Sequence, residues 1–206
     1  MCGRYYVDND TAGEIQKLVC RVDEKMKRTG AVGIRLQAKD IHPSETAPVL
    51  IIGDTGLCCK WQRWGFPGFN GKQLIFNARS ESALEKRMFC ESVECRRVVV
   101  PAAGFYEWSK NKEKNIFSRA GQPVLYMAGL YNRYQGEECF VILTTAANES
   151  MKPVHDRMPL LLEEDEIEQW LSEDTMVETF LRKTPALLER QVEYEQMSLF
   201  PTENSE

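Results

Sequence analysis

The chain has 206 residues, of which 43% are hydrophobic and 28% charged, and its formal net charge is −5. These values are typical of a soluble globular protein with a sizeable core, and no apolar run is long enough to span a membrane. The seven cysteines and two histidines lack zinc-site spacing and follow no secretory signal, so we expect reduced thiols, no metal and a cytoplasmic protein.

Charge is distributed unevenly along the chain. Residues 60–119 carry a net charge of +6, whereas residues 160–206 carry −10. The acidic end is typical of a solvated helical region. The basic middle predicts one positive face on an acidic protein, which would suit a polyanion such as nucleic acid.

The helix signals begin with two capping boxes. Thr11 with Glu14 precedes apolar residues at helical spacing and predicts a helix from about 12 to 28. Ser82 with Glu85 predicts a second, short helix. Acidic residues near a helix start favour a further helix. The remaining predicted helices are 162–171 and 174–182.

Strands are indicated by runs of β-branched and aromatic residues. A turn-like GDTG between two apolar runs predicts a hairpin. The predicted strands are 48–52, 57–61, 96–101, 123–131, 139–147 and a short one near 192–199. This irregular order favours a mixed, mainly antiparallel α+β domain over a doubly wound parallel sheet. We expect one domain over residues 1–200 and a disordered tail at 201–206.

Several polar residues stand in apolar surroundings, and each has a chemical and a structural interpretation. Glu107, between two aromatic residues, would suit proton transfer if buried, or would be an ordinary strand-edge glutamate. His155 is either a proton shuttle or a structural histidine. Asn77 would position a carbonyl or imine, or cap a turn. Arg4 and Arg79 would bind phosphates or form salt bridges.

Cys2 is the second residue of the chain. Once Met1 is removed, it carries an α-amine and a thiol on adjacent carbons. An α-amine has a pKa of about 8, against about 10.4 for lysine, so it is the better nucleophile toward an aldehyde at neutral pH. After an imine forms, the tethered thiol can close a five-membered thiazolidine ring, with the advantage of intramolecular attack.

Six ordered stretches resemble the SOS response-associated peptidase (SRAP) family: MCGR, IHPSE, WQRWGF, FNARSES with RMF, GFYEW and HDRMP. The similarity extends from Cys2 to about Leu162. It implies a curved, mainly antiparallel, barrel-like core flanked by helices, with a basic DNA groove. It also implies an abasic-site sensor that binds single-stranded DNA, crosslinks to it covalently and acts at the damaged nucleoid. Met1 would be removed by self-cleavage or by an aminopeptidase.

The resemblance also assigns roles to individual residues. Cys2 is the implied nucleophile, and Asn77, Glu107 and His155 match the other active-site positions. No cofactor or metal is implied. The positions that match DNA contacts are the phosphate-binding Arg4 and Arg79, the base-stacking or wedging Pro43, Trp64 and Phe66, and also Asn77 and Arg157.

Three alternative functions remain open. A thiol peptidase would use Cys2 with His155 and Asn77, limited to removing its own N-terminal residue, and would need the thiol but no free amine. A non-enzymatic single-strand DNA binder would lose only retention on Cys2→Ala. A redox sensor would use Cys58 and Cys59, although neighbouring residues of a strand point to opposite faces.

Overall fold

A computed structural model describes residues 2–22, 38–54, 56–69, 71 and 73–193. In these ranges the α-helices are α1 Asn9–Val22, α2 Cys90–Cys95, α3 Ile167–Ser172 and α4 Val177–Leu181. The strands are β1 Tyr5–Val7, β2 Lys39–Ile41, β3 Thr46–Gly53, β4 Gly56–Trp64, β5 Phe66–Pro67, β6 Leu74–Ile75, β7 Asn77–Arg79, β8 Arg97–Ala102, β9 Gly104–Trp108, β10 Lys114–Ser118, β11 Leu125–Tyr134, β12 Glu137–Ala146, β13 Arg157–Pro159, β14 Leu161–Leu162 and β15 Glu189–Glu193.

Five strands close into a barrel. Their cyclic order is β12-β4-β3-β8-β11 and back to β12, with every pair antiparallel except β12 with β4. All six residues of β8 are buried, because one of its faces fills the barrel and the other is covered. Trp170 of α3 lies on that outer face and donates its ring N–H to the Val98 carbonyl at 3.0 Å. The expectation of a curved, mainly antiparallel, barrel-like α+β fold is therefore confirmed.

A second sheet, ordered β15-β10-β9-β1-β2, holds the N-terminal strand between β9 and β2. The chain passes from the barrel strand β8 into β9 through Ala103, whose N–H donates to the Tyr6 carbonyl at 2.9 Å. A Cβ on Gly104 would lie 2.6 Å from the Phe117 carbonyl and 2.7 Å from the Tyr6 hydroxyl. Glycine at this position therefore allows β9 to fit closely between β10 and β1 in this sheet.

Helix α1 begins earlier than the sequence predicted. Its N-cap is Asp8, whose Oδ1 accepts from the Thr11 backbone N–H at 2.8 Å and from the Thr11 hydroxyl at 2.7 Å. Thr11 is therefore the third helical residue rather than the cap, because an Asp side chain caps a helix as well as Thr does. The predicted part from 23 to 28 lies outside the described residues.

The predicted helix after Ser82 is wrong. Ser80–Ser82 form a 3-10 turn, the Ser82 carbonyl accepts from the Lys86 N–H at 3.1 Å, and the chain then bends until α2 begins at Cys90. The bend places Phe89 against Phe66, with ring centroids 6.1 Å apart. Burial of Phe89 therefore outweighs the local helix signal, as tertiary packing commonly does.

The other predicted elements agree with the structure. The hairpin across GDTG is β3–β4, and the three long predicted strands are β8, β11 and β12. The two acidic helices are present, each entered through a 3-10 turn. Strand β15 covers the start of the predicted C-terminal strand, and the remainder of that strand, 194–199, lies outside the described residues. The tail from 201 to 206 is outside the described residues. No helix within the described ranges is long and apolar enough to cross a membrane.

Candidate functional site around Cys2

The pairing of β1 with β9 positions the N-terminal segment. Tyr5 lies opposite Phe105, and the Tyr106 N–H donates to the Arg4 carbonyl at 2.9 Å, so the pairing continues ahead of β1. Extending the same register by one further residue brings residue 3 opposite Glu107. Cys2, the residue before it, is thus positioned by β1, which pairs with β9 on one side and with β2 on the other.

Cys2 is almost completely buried, with 1% of its surface exposed. Its thiol donates to the Arg4 carbonyl at 3.6 Å, and its own carbonyl accepts from Asn77 Nδ2 at 2.9 Å. Burial, and then the charge of Glu107, raises the pKa of the Cys2 thiol far above its usual value. The thiol is therefore protonated at neutral pH.

Asn77 belongs to a different sheet from the N-terminal strand β1. It begins β7, which runs parallel to β12 with Asn77 opposite Ile142. The preceding residue, Phe76, accepts at its carbonyl a hydrogen bond of 2.8 Å from the Trp64 ring N–H. Asn77 Oδ1 is buried and has no hydrogen-bond partner among the described residues. The amide thus binds Cys2 through its nitrogen and leaves an acceptor inside the site.

Glu107 is buried, with 4% of its surface exposed, in the fourth position of β9. It lies opposite Asn115 of β10, and its charge acts on the Cys2 thiol. The structure therefore brings Cys2, Asn77 and Glu107 together. Of the two interpretations of Glu107, the buried one agrees with the structure, whereas the exposed strand edge does not.

His155 is half-buried just before β13. Its Nδ1 accepts from the Arg157 backbone N–H at 2.9 Å, and Asp156 Oδ1 lies 2.9 Å from the same atom. Strand β12 pairs with both β13 and β7, so His155 is carried to the strand end that also holds Arg79.

Arg157 is engaged within the protein. Its guanidinium binds both oxygens of Glu81 in a bidentate pair, with Nη2 at 2.9 Å, and also donates to the Thr144 carbonyl. The pairing with Arg157 lowers the pKa of Glu81, as a bidentate arginine does. A role for Arg157 in DNA binding would require the guanidinium to leave this carboxylate.

Arg4 and Arg79 are more accessible. The guanidinium of Arg4 lies 5.3 Å from the Trp108 ring centre and 3.8 Å, at Nη1, from Asp40 Oδ2. Arg79 is exposed at the end of β7, beside Glu81. Both arginines therefore have charge available to solvent next to the segments that carry Cys2 and Asn77.

The aromatic residues expected to stack on bases are buried. Trp64 and Phe66 have no exposed surface, Trp64 stacks on Phe140 at 6.2 Å between ring centres, and neither offers a face to DNA. Their assignment as base-stacking residues is therefore corrected to core residues. Pro43 is partly exposed. Phe69, which the sequence analysis did not single out, is the most exposed aromatic ring among the described residues, at 101%.

Phe69 occupies the turn between β5 and β6. The turn is closed by a bond from the Gly71 N–H to the Gly68 carbonyl at 2.8 Å, and Gly71 has φ +65°, a conformation that favours glycine. A large ring held in water has no reason in folding stability. The signal in the sequence is an aromatic residue inside PGFNG, a turn composition that exposes it.

No group of three or more His, Cys, Asp or Glu that could hold a metal ion occurs in the described part of the chain. Cys58 and Cys59 are both reduced cysteines. Burial, and then the neighbouring Cys58, raises the pKa of Cys59 to about 12, opposite to the lowered pKa of reactive cysteines. This finding argues against the redox-sensor alternative.

Comparison with known proteins gives a consistent result. The family model described as "SOS response associated peptidase (SRAP)" matches residues 1–204. The abasic site processing proteins YoaM of Bacillus subtilis and YedK of Escherichia coli are each 33% identical, over 124 and 120 residues. These alignments cover 53% and 54% of this chain, and 55% and 54% of those proteins. The chain thus spans about half the length of these curated relatives.

Longer matches exist at lower identity. The abasic site processing protein YoqW of Bacillus subtilis is 26% identical over 194 residues, covering 84% of this chain and 80% of that protein. A crystal structure of a protein from Bacteroides thetaiotaomicron superposes with a TM-score of 0.74 at 21% identity, over 93% of this chain and 91% of that one. A phage-related protein from Bordetella bronchiseptica gives 0.74 at 19%, over 94% and 95%. The two structures show that the fold is shared.

Proposed function

The chain belongs to the SOS response associated peptidase (SRAP) family, and on this basis we propose that it processes abasic sites in DNA by forming a covalent link through Cys2. The observation that carries the proposal is the anchoring of Cys2. Asn77 holds its carbonyl at 2.9 Å, and its buried thiol lies within the field of Glu107. This hydrogen bond holds Cys2 through its carbonyl, so it occupies neither the amine nor the thiol.

The state of the Cys2 thiol supports an order of steps. Because burial and the charge of Glu107 keep the thiol protonated, the α-amine exposed by removal of Met1 attacks first. Its lone pair forms the N–C bond to the aldehyde carbon, the oxygen takes a proton, and water leaves as the imine forms. Sulfur then adds to the same carbon, and the thiol proton passes to nitrogen. The thiazolidine forms with net loss of one water.

The residues of the proposed site suit these proton movements. A buried carboxylate such as Glu107 accepts the proton that the amine or thiol releases, and its charge stabilises a cationic imine. We assign His155, which lies toward the strand end that holds Arg79, to sugar-ring opening or the departing oxygen. Asn77 holds the adduct in place through Cys2.

The thiol peptidase is the weaker alternative. A thiol nucleophile needs a lowered pKa so that the thiolate is available, and the site raises the pKa of Cys2 instead. The family name describes peptidase chemistry, and the proposal for this chain is DNA-directed, as in the names of its relatives.

The test of the proposal is a denaturing gel. Protein lacking Met1 is mixed with a single-stranded oligonucleotide that carries one abasic site, beside the same oligonucleotide with an intact base and a protein whose N-terminus is extended by two residues. We expect a heat-stable shifted band only for the free N-terminus with the abasic strand. A band with the extended protein would show that the α-amine is not required, and no band at all would refute the crosslinking function.

Arg79→Ala is expected to weaken DNA binding uniformly across sequences. Arg79 is exposed beside the site, and loss of one phosphate contact reduces the salt dependence, the slope of log K against log [salt], by about 0.7 for a single strand. Binding measured by fluorescence anisotropy from about 50 to 200 mM salt checks this. The matched control is Arg133→Ala, an exposed arginine on the β11–β12 hairpin, which is expected to keep the original slope. If both variants show the same slope, Arg79 does not contact the DNA.

Phe69→Ala and Phe66→Ala are expected to have opposite effects. Phe69 is fully exposed, so its truncation leaves stability unchanged and weakens single-strand binding by about 1–3 kcal/mol through lost base stacking. Phe66 is buried, so its truncation costs about 3–5 kcal/mol of stability. Urea unfolding and anisotropy binding distinguish the two. If Phe69→Ala binds DNA as tightly as the unmodified protein, the stacking role is wrong.

A further inference from the structure

Tyr5 carries a polar group that the fold leaves unsatisfied. The residue has no exposed surface, and its hydroxyl is buried without a hydrogen-bond partner among the described residues. A buried hydroxyl without a partner costs free energy that phenylalanine would avoid. Such a group in a native structure therefore requires an explanation, and a partner that arrives during function is one.

The ring of Tyr5 forms a wall of the Cys2 site. Its centroid lies 5.1 Å from that of Trp64, and the Trp64 ring N–H donates to the Phe76 carbonyl at 2.8 Å. The next residue, Asn77, donates to the Cys2 carbonyl at 2.9 Å. These contacts connect the Tyr5 ring to Cys2 through Trp64 and the segment Phe76–Asn77. Both ends of this chain of contacts lie in the N-terminal segment.

Strand pairing places the same side chain toward Glu107. Tyr5 lies directly opposite Phe105 in the β1–β9 pair, so these two side chains share a face of the sheet. Glu107 is two residues beyond Phe105 and therefore points to that face as well. Tyr5 and Glu107 thus lie on one face of the sheet, Cys2 acts on the Tyr5 hydroxyl, Glu107 acts on the Cys2 thiol, and all three residues are buried.

The hydroxyl is in the form that donates. Burial, and then the neighbouring charges of Cys2 and Glu45, raises the pKa of Tyr5 well above its usual value. The phenol therefore keeps its proton throughout the neutral range.

We propose that the Tyr5 hydroxyl is a further catalytic residue, which donates a hydrogen bond to the aldehyde oxygen while the Cys2 amine adds to the aldehyde carbon. This inference rests on the proposed function. As the N–C bond forms, the electron pair of the C=O bond moves to oxygen, and the donor stabilises that developing charge. The tyrosine supplies no atom and keeps its proton. The oxygen then leaves as water. One of its protons comes directly from the amine, and the other is returned by Glu107, which had accepted it from the amine.

Tyr5→Phe separates this role from a structural one because the two predict opposite signs. Removing an unsatisfied buried hydroxyl leaves the melting temperature unchanged or raises it. Removing a catalytic donor lowers the crosslinking rate at saturating DNA, by at least about 10-fold. Both are measured on protein lacking Met1, with single-turnover crosslinking to an abasic oligonucleotide and thermal unfolding. Binding to an oligonucleotide with intact bases is expected to be unchanged.

Tyr134→Phe is the matched control. Tyr134 packs on Phe66, and its hydroxyl hydrogen-bonds Asn132, so this change removes a satisfied hydroxyl away from Cys2. We expect a small decrease in melting temperature and an unchanged rate. If Tyr5→Phe behaves in the same way, its hydroxyl binds a structural water and the inference is overturned. If unmodified protein forms no crosslink, the proposed function itself fails. Crosslinking by unmodified protein and Tyr5→Phe at equal rates refutes only the role of Tyr5.

Discussion

Replacing Cys2 by alanine is expected to lower the rate of heat-stable crosslinking by more than about 1,000-fold, because the ring-closing thiol is lost and intramolecular attack provides advantages of that size or larger. The α-amine survives in this variant, so a reversible imine still forms. The measurement is a time course of gel-shifted product with and without borohydride, which reduces an imine to a stable amine. We expect product from Cys2→Ala only when borohydride is present.

Two further variants make this result specific to the N-terminal residue. Cys2→Ser keeps the amine and a weaker nucleophile, and is expected to behave as Cys2→Ala does. Cys95→Ala removes an exposed thiol from α2 and is expected to crosslink at the original rate. A heat-stable product from Cys2→Ala without borohydride would show that a lysine or another cysteine carries the reaction.

Glu107→Gln is expected to slow adduct formation by about 100-fold or more, the scale of a lost general acid or base. The substitution keeps the shape of the buried side chain and removes its charge. A change of less than about 10-fold would argue that Glu107 only fills space. Glu113→Gln, at an exposed position that caps the same hairpin through Ser109, is the matched control and should leave the rate unchanged.

The same variant changes the acidity of Cys2 in a defined direction. Because the charge of Glu107 contributes to the raised pKa of the thiol, Glu107→Gln lowers that pKa. In the unmodified protein the thiol is protonated when folded, so its contribution to stability is complete below about pH 8.5 and decreases as pH rises above that. Glu107→Gln is expected to lose no more stability than the unmodified protein between about pH 8.5 and 10, because burial, the larger cause, still raises the pKa of the folded thiol; urea unfolding across this range measures it. A steeper loss of stability with rising pH in Glu107→Gln than in the unmodified protein would contradict the predicted direction.

Much of the site could be predicted because its residues occur in short ordered motifs. The convergence of Cys2, Asn77 and Glu107 agrees with the expectation, although the three are far apart in sequence and on different elements. What the sequence could not provide is the orientation of aromatic rings. Trp64 and Phe66 have the residue types of both a core and a base-stacking surface, and only the closed barrel decides that they face inward.

Side-chain pairs between residues far apart in the sequence could not be predicted either. Arg157 binds Glu81 across 76 positions of sequence, and nothing local distinguishes it from the accessible Arg79. The α1 start was misassigned because Asp8 and Thr11 are both good caps. Local signals therefore identified the kinds of residue in the site and the strands that carry them, whereas burial depended on packing between distant segments.

The direction of protein synthesis has a consequence for the enclosure of Cys2. Two residues that act on it, Asn77 and Glu107, lie far downstream in the sequence. At roughly 5–20 residues per second, the ribosome needs several seconds to reach Glu107 after it has made the N-terminus. During that interval the N-terminus is open to an aminopeptidase, and afterwards Cys2 is buried. The initiator methionine is thus accessible for removal during synthesis and no longer once the chain has folded.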